Sequence, residues 1–246
     1  MKKHTRIGML TPSSNTALEP VTQAMLAQMP HVTAHFARFK VTEIALSEAA
    51  LSQFEDKEIL VAAELLAHAK VDVIAWNGTS AAWRGFPSDE QLVRRIEETT
   101  GITGCTSVLA FREAFQRTGA RRIGLVTPYR EDVQKKIMAN WAAAGFPCTA
   151  ERHIGLQDNY SFAEVTEETI AEKVRQVVAE GCDAVAIVCT NMHGARVAAA
   201  LETELGVPIY DSIALTLWKT LIAAKVPPQG VTGWGSLFSD PRLALS

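Results

Sequence analysis

Ala184-Val185-Ala186-Ile187-Val188-Cys189-Thr190-Asn191-Met192-His193 is an apolar run that stops abruptly at a thiol, a hydroxyl and an amide. Five consecutive apolar residues, preceded by Gly181-Cys182-Asp183, read as a strand buried on both faces, the kind that parallel sheets carry beneath helices. In such sheets ligands are met beyond the carboxyl ends of the strands. Cys189 is therefore placed where a ligand would be met, or it is simply a small buried residue, since free cysteine is among the most buried types. Thr190 and Asn191 follow with short side chains able to donate hydrogen bonds to an anion.

Working outward, strands and helices alternate. Arg6-Ile7-Gly8-Met9-Leu10 predicts a strand, Thr11 to Thr16 a polar turn, and residues from Ala17 to Gln28 a helix. A second strand is expected over 31–42, a helix over 56–69, and a strand at Val71 to Trp76 that ends in Asn77-Gly78-Thr79-Ser80. A helix near 88–99, a short strand at 101–105 and a helix from 106 to 118 complete this half. Alternation with short connections is the pattern of a parallel α/β sheet.

The second half repeats the first. Arg6 to Pro12 aligns with Arg122 to Pro128, identical at five of seven positions. Val71 to Ser80 aligns with Cys182 to Asn191, setting Gly78 against Cys189 and Thr79 against Thr190, and Gly101-Ile102-Thr103 aligns with Gly206-Val207-Pro208. The expected architecture is two similar parallel-sheet α/β lobes related by a pseudo-two-fold, residues 1–117 and 118–217. The segment from about 218 to 246 is expected to pack back on the first lobe. Strand ends from both lobes would then face one shared cleft.

Composition narrows the function. Hydrophobic and charged contents of 48% and 21% are those of an ordinary globular protein, and a net charge of -3 supplies no basic field for nucleic acid or membrane. No apolar window reaches membrane-span length, and Met1 to Arg6 leads into a strand rather than a signal-peptide core, so a cytoplasmic location is expected. Cys105, Cys148, Cys182 and Cys189 lack the spacing of a disulfide framework or a zinc site. No G-x-G-x-x-G or phosphate-binding loop follows a strand, which argues against a nucleotide cofactor.

Several stretches together resemble a known superfamily: Pro12-Ser13-Ser14-Asn15-Thr16, Pro128-Tyr129, Asp158-Asn159, the strand ending in Cys189, and Gly233-Trp234-Gly235-Ser236-Leu237-Phe238. The chain resembles the aspartate/glutamate racemase superfamily over almost its whole length, within the branch of maleate cis-trans isomerases and arylmalonate decarboxylases. The resemblance implies no cofactor, and acid/base chemistry on a small carboxylate between two cysteines, one from each half. Here Gly78 stands at the first cysteine position. Gly78-Thr79-Ser80 resembles the decarboxylases, which keep only the second cysteine, whereas Asn15 and Asp158-Asn159 resemble the isomerases.

Residue chemistry bears on that choice. Two-base racemisation needs an acid and a base on opposite faces of a carbon, and an isomerase adduct needs a nucleophile; Gly78 is neither. Decarboxylation needs donors for the charge of the retained carboxylate and one acid to quench the carbanion. Cys189 suffices as that acid, its thiol being mostly protonated at neutral pH at its ordinary pKa. An arylmalonate-type decarboxylase is therefore expected, with an isomerase, a racemase or a non-catalytic carboxylate-binding module as alternatives. The oligomeric state is open, a homo-oligomer included.

The expected site comprises Cys189, Gly78 and Tyr129, with Pro12, Ser14, Asn15, Thr79, Ser80, Asn159, Thr190 and Asn191 about the substrate. Thr79, Ser80 and Asn15 read equally as helix caps, Asn159 as a turn residue, and Tyr129 as a packing aromatic. His193 reads as an exposed or capping residue, or as a modulator of Cys189. Trp76, Trp83, Phe86, Phe36 and Phe39 are either core residues or walls of an apolar pocket.

Overall fold

A computed structural model of the protein describes residues 4–47 and 56–245. The first half runs β1 (Thr5–Pro12), α1 (Leu18–Leu26), β2 (Val32–Phe39), α2 (Asp56–His68), β3 (Val73–Trp76), a short α3 (Ala81–Arg84), α4 (Phe86–Thr100), β4 (Gly104–Thr106) and α5 (Ser107–Thr118). The second continues as β5 (Ile123–Thr127), α6 (Glu131–Ala143), β6 (Cys148–His153), α7 (Glu167–Ala179), β7 (Ala184–Ile187), α8 (Gly194–Leu205), β8 (Ile209–Asp211) and α9 (Ser212–Ala223). Each half builds a four-stranded sheet, ordered β2-β1-β3-β4 and β6-β5-β7-β8, with every pair parallel. The structure is thus the doubled α/β architecture that the repeat predicts.

The repeat extends to individual bonds. Ile7 pairs with Val73 and Ile123 with Ala184, so the registers of β1·β3 and β5·β7 superimpose and Gly78 falls opposite Cys189. Asp72 Oδ2 accepts from the Arg6 N–H at 2.9 Å, and Asp183 Oδ2 accepts from the Arg122 N–H at 2.8 Å. Gly101 and Gly206 end α4 and α8 with φ of 70° and 67°, a left-handed cap that suits glycine.

The halves are joined by side chains. Phe111 and Phe115 on α5 meet Trp141 on α6 at ring-centroid distances of 5.5 and 5.6 Å, and Phe115 reaches Phe146 at 5.4 Å. Such pairs contribute about 0.5–1.5 kcal/mol each beyond their buried area. Helix α9 follows β8 but lies against α5 and the β3–β4 edge, where Thr216 Oγ1 and Ser107 Oγ are 2.6 Å apart. The remaining segment touches both halves: Thr232 donates to Gln28, Arg117 donates to Arg242 O at 2.9 Å, and Ser236 N–H donates to Glu202 on α8 at 2.6 Å. Among the described residues, no helix is long and apolar enough to cross a membrane.

Candidate active site

The strand ends of the two halves enclose a cavity of ≈ 20 Å³. Gly78, Thr79 and Ser80 after β3 line it from one side, and Cys189 and Thr190 after β7 from the other. Tyr129, Asn159, Pro12, Trp76, Trp83, Val41 and Ile44 complete the wall. Val41 and Ile44 are the lining residues that sequence reasoning missed; they belong to an irregular segment after β2, which carries no periodicity to flag it.

Cys189 is 3% exposed and its thiol has little water to stabilise a negative charge. Burial pushes its pKa up to about 12, against the opposing pull of the Asn191 N–H and the Tyr129 hydroxyl. The Asn191 N–H points at Sγ from 3.3 Å. The Cys189 backbone is fixed from behind, its N–H donating to Ser212 Oγ at 3.0 Å while that hydroxyl donates to Ile187 O at 2.9 Å. Ser212, at the start of α9, was not flagged from sequence. The only signal was its place straight after a strand-end aspartate.

Tyr129 lies after β5, buried between Trp83 and Phe162, whose rings meet it edge-on. Its hydroxyl is 2.6 Å from Thr79 Oγ1, and burial together with the neighbouring Cys189 holds its pKa well above the ordinary phenol value. Thr79, Tyr129 and Cys189 therefore form one polar strip crossing the boundary between the halves. Ser80 lines the cavity beside them and makes no side-chain cap to α3.

Ser14, Asn15 and Asn191 do not line the cavity; they hold its two sides together. Asn15 Oδ1 accepts from the Leu18 N–H at 2.9 Å, capping the first helix, while Nδ2 donates to Thr190 O at 2.9 Å. Asn191 Oδ1 accepts from the Thr16 N–H at 2.9 Å, and its Nδ2 donates to Asn159 O at 2.6 Å. Asn159 Nδ2 donates to Ser14 Oγ at 2.7 Å, and that hydroxyl donates to Val41 O at 2.7 Å. Thr190 Oγ1 donates to Asn77 O at 3.0 Å. Every bond in this set but the α1 cap, the Ser14–Val41 bond and the Asn191–Asn159 bond links one half to the other.

Of the aromatic candidates, Trp76 and Trp83 wall the cavity, whereas Phe86 lies under Arg112, whose guanidinium carbon is 5.1 Å from the ring centre. Phe39 packs on Trp76 at 5.1 Å, and Phe36 joins the edge of the core. His193 is half-buried at the start of α8 and makes no side-chain cap. Among the described residues, no group of three or more His, Cys, Asp or Glu side chains could hold a metal ion.

Gly78 is closely packed. A glycine there leaves no open space: a Cβ built on it would fall within the Trp76 indole, whose Cζ2, Cε2 and Cη2 are its nearest atoms. The position of a first-half thiol is thus filled by an aromatic ring.

Asp211 lies behind Cys189, fully buried, with Oδ1 accepting from the Ile213 and Ala214 N–H groups at 2.8 and 3.2 Å while Oδ2 has no hydrogen-bond partner. Burial raises its pKa to about 7. The folded state then holds a proton that the unfolded chain loses near pH 4, so its contribution is complete below that pH and fades as pH rises to about 7. Asp211→Asn, which can still cap α9, is expected to flatten the fall in melting temperature between pH 4 and 7. Identical slopes in variant and wild type would show that Asp211 ionises at its ordinary pH.

The family model described as arylmalonate decarboxylase matches residues 7–238. The chain belongs to the arylmalonate decarboxylase family. Within that family of enzymes it is 26% identical to a maleate isomerase of Geobacillus stearothermophilus, over 97% of this chain and 99% of that one. It is 25% identical to an arylmalonate decarboxylase of Bordetella bronchiseptica, over 68% of this chain and 71% of the other. In fold it is similar to a maleate isomerase variant of Pseudomonas putida S16 solved with maleate, at a TM-score of 0.89 and 22% identity over 98% and 99% of the two chains. Both names in the family thus attach to relatives of this chain, and maleate isomerase is the commoner.

Proposed function

We propose that the protein is a cofactor-independent decarboxylase of a small substituted malonate, with Cys189 as its proton donor. The observation that supports this most is the pairing of a buried, protonated thiol with an opposite face that carries an indole in place of a second thiol. The retained carboxylate lies by the Thr79, Ser80 and Tyr129 hydroxyls. The other carboxylate meets Pro12, Val41, Ile44 and Trp83, where an ion loses its hydration and leaving as neutral CO2 is favoured. The C–C bond breaks with its electron pair passing into the retained carboxylate as an enediolate, whose charge the hydroxyls stabilise. Cys189 then gives its proton to the carbon, and water re-protonates the thiolate.

A cavity of ≈ 20 Å³ holds about one water molecule, less than a malonate needs. Binding therefore displaces part of the wall. Val41 and Ile44 lie in an irregular wall segment, tied down by the Ser14–Val41 bond and by the Ile44 N–H donating to Gln157 O at 2.9 Å.

Cis-trans isomerisation of maleate is the second reading, favoured by the relatives that carry that name and by Asn15 and Asn159. It requires a thiolate nucleophile, whereas burial raises the Cys189 pKa and favours the protonated thiol. Purified protein given methylmalonate, phenylmalonate and maleate in parallel is expected to release CO2 from a malonate and to form no fumarate. Fumarate without CO2 would replace the proposal with an isomerase. Tight binding without either product would make the protein a carboxylate-binding module.

A further inference from the structure

Trp76 ends β3 with its side chain fully buried, and its indole Nε1 has no hydrogen-bond partner. Leaving such a donor dry and unpaired is costly, and a buried group of this kind in a cavity wall points to an acceptor that arrives with a ligand. Nε1 is bonded directly to Cε2, one of the atoms that occupy the place of a Gly78 side chain. Trp76 lines the cavity beside Gly78, whose counterpart in the repeat is Cys189. Elsewhere on the wall, the Thr79 and Tyr129 hydroxyls already bond to each other. An indole N–H donates but does not act as an acid, so it can hold an oxygen without quenching a carbanion.

We infer that Trp76 selects substrates carrying a hydroxyl on the reacting carbon, its N–H donating to that oxygen. The substituent is the group left for it: the retained carboxylate has the Thr79–Tyr129 strip, and a donor on the departing carboxylate would hold back its loss. This inference rests on the reading of the cavity as a carboxylate site.

Affinity for two acids of nearly equal shape, 2-hydroxypropanoate and 2-methylpropanoate, tests it by calorimetry without any turnover. The wild type is expected to bind the hydroxy acid about 10-fold more tightly, since only that acid satisfies the buried N–H. Trp76→Phe keeps the ring but not the donor, and is expected to bind the two alike. Equal binding by the wild type, binding of neither acid, or a preference that survives in Trp76→Phe would each overturn the assignment. An equal loss of both acids in Trp76→Phe, with the wild-type preference absent, would move the N–H onto a carboxylate and overturn it likewise. Failure to decarboxylate any malonate, with the preference present and lost in the variant, would remove the proposed reaction and leave the role of Trp76 standing.

Discussion

Cys189→Ala is expected to lower turnover by at least about 10²-fold and to leave the fold in place. The magnitude is the usual contribution of a positioned proton donor. The fold should survive because the Cys189 backbone N–H donates to Ser212 Oγ, and the thiol adds only a long acceptor contact for the Asn191 N–H. Circular dichroism and the melting transition should therefore resemble those of the wild type while the rate collapses. The wild-type rate should also stay level as pH rises from 6 to 9, because burial keeps the thiol protonated to about pH 12. A rate that falls with an apparent pKa near 8.5 would mean that Cys189 ionises as an ordinary thiol; full activity in the alanine variant would remove it from the mechanism.

Tyr129→Phe is expected to cut kcat by about 10²–10³-fold with a smaller change in KM, the pattern of losing a donor aimed at developing charge. The ring should keep its place between Trp83 and Phe162, since those edge-on contacts do not involve the hydroxyl. Thr79→Ala should show a similar loss, and the double variant should lose little more than either single one, because the two hydroxyls share a 2.6 Å hydrogen bond. A change confined to KM would make this pair a binding feature, and full additivity would show that the two groups act apart.

The fold was legible because the repeat is written in apolar strands and in paired residues such as Asp72 and Asp183, whose local bonds recur in both halves. Cys189, Thr79, Ser80, Thr190 and Tyr129 were legible at the site for a related reason: strand ends in a parallel sheet converge, so position in sequence fixes position at the cleft. Asn15 and Asn191 look the same in sequence whether they bind a ligand or the other half of the chain, and only their partners separate the two roles. Val41 and Ile44 lie in an irregular segment and reach the cavity through tertiary bonds to Ser14 and Gln157, which no local pattern encodes. Gly78 was the harder case. Its lack of a side chain is visible in the sequence, but the indole that fills the resulting space belongs to a residue two positions earlier, which packs on Phe39.

The central claim, one thiol delivering one proton from one face, is tested most directly by turning over a prochiral substituted malonate in D2O and following the product by NMR. The account predicts a single deuterium at the α-carbon, one configuration in excess, no further exchange when isolated product is returned to the enzyme, and loss of the reaction in Cys189→Ala. A racemic product, or α-proton exchange in returned product, would contradict it by requiring a second acid/base opposite Cys189.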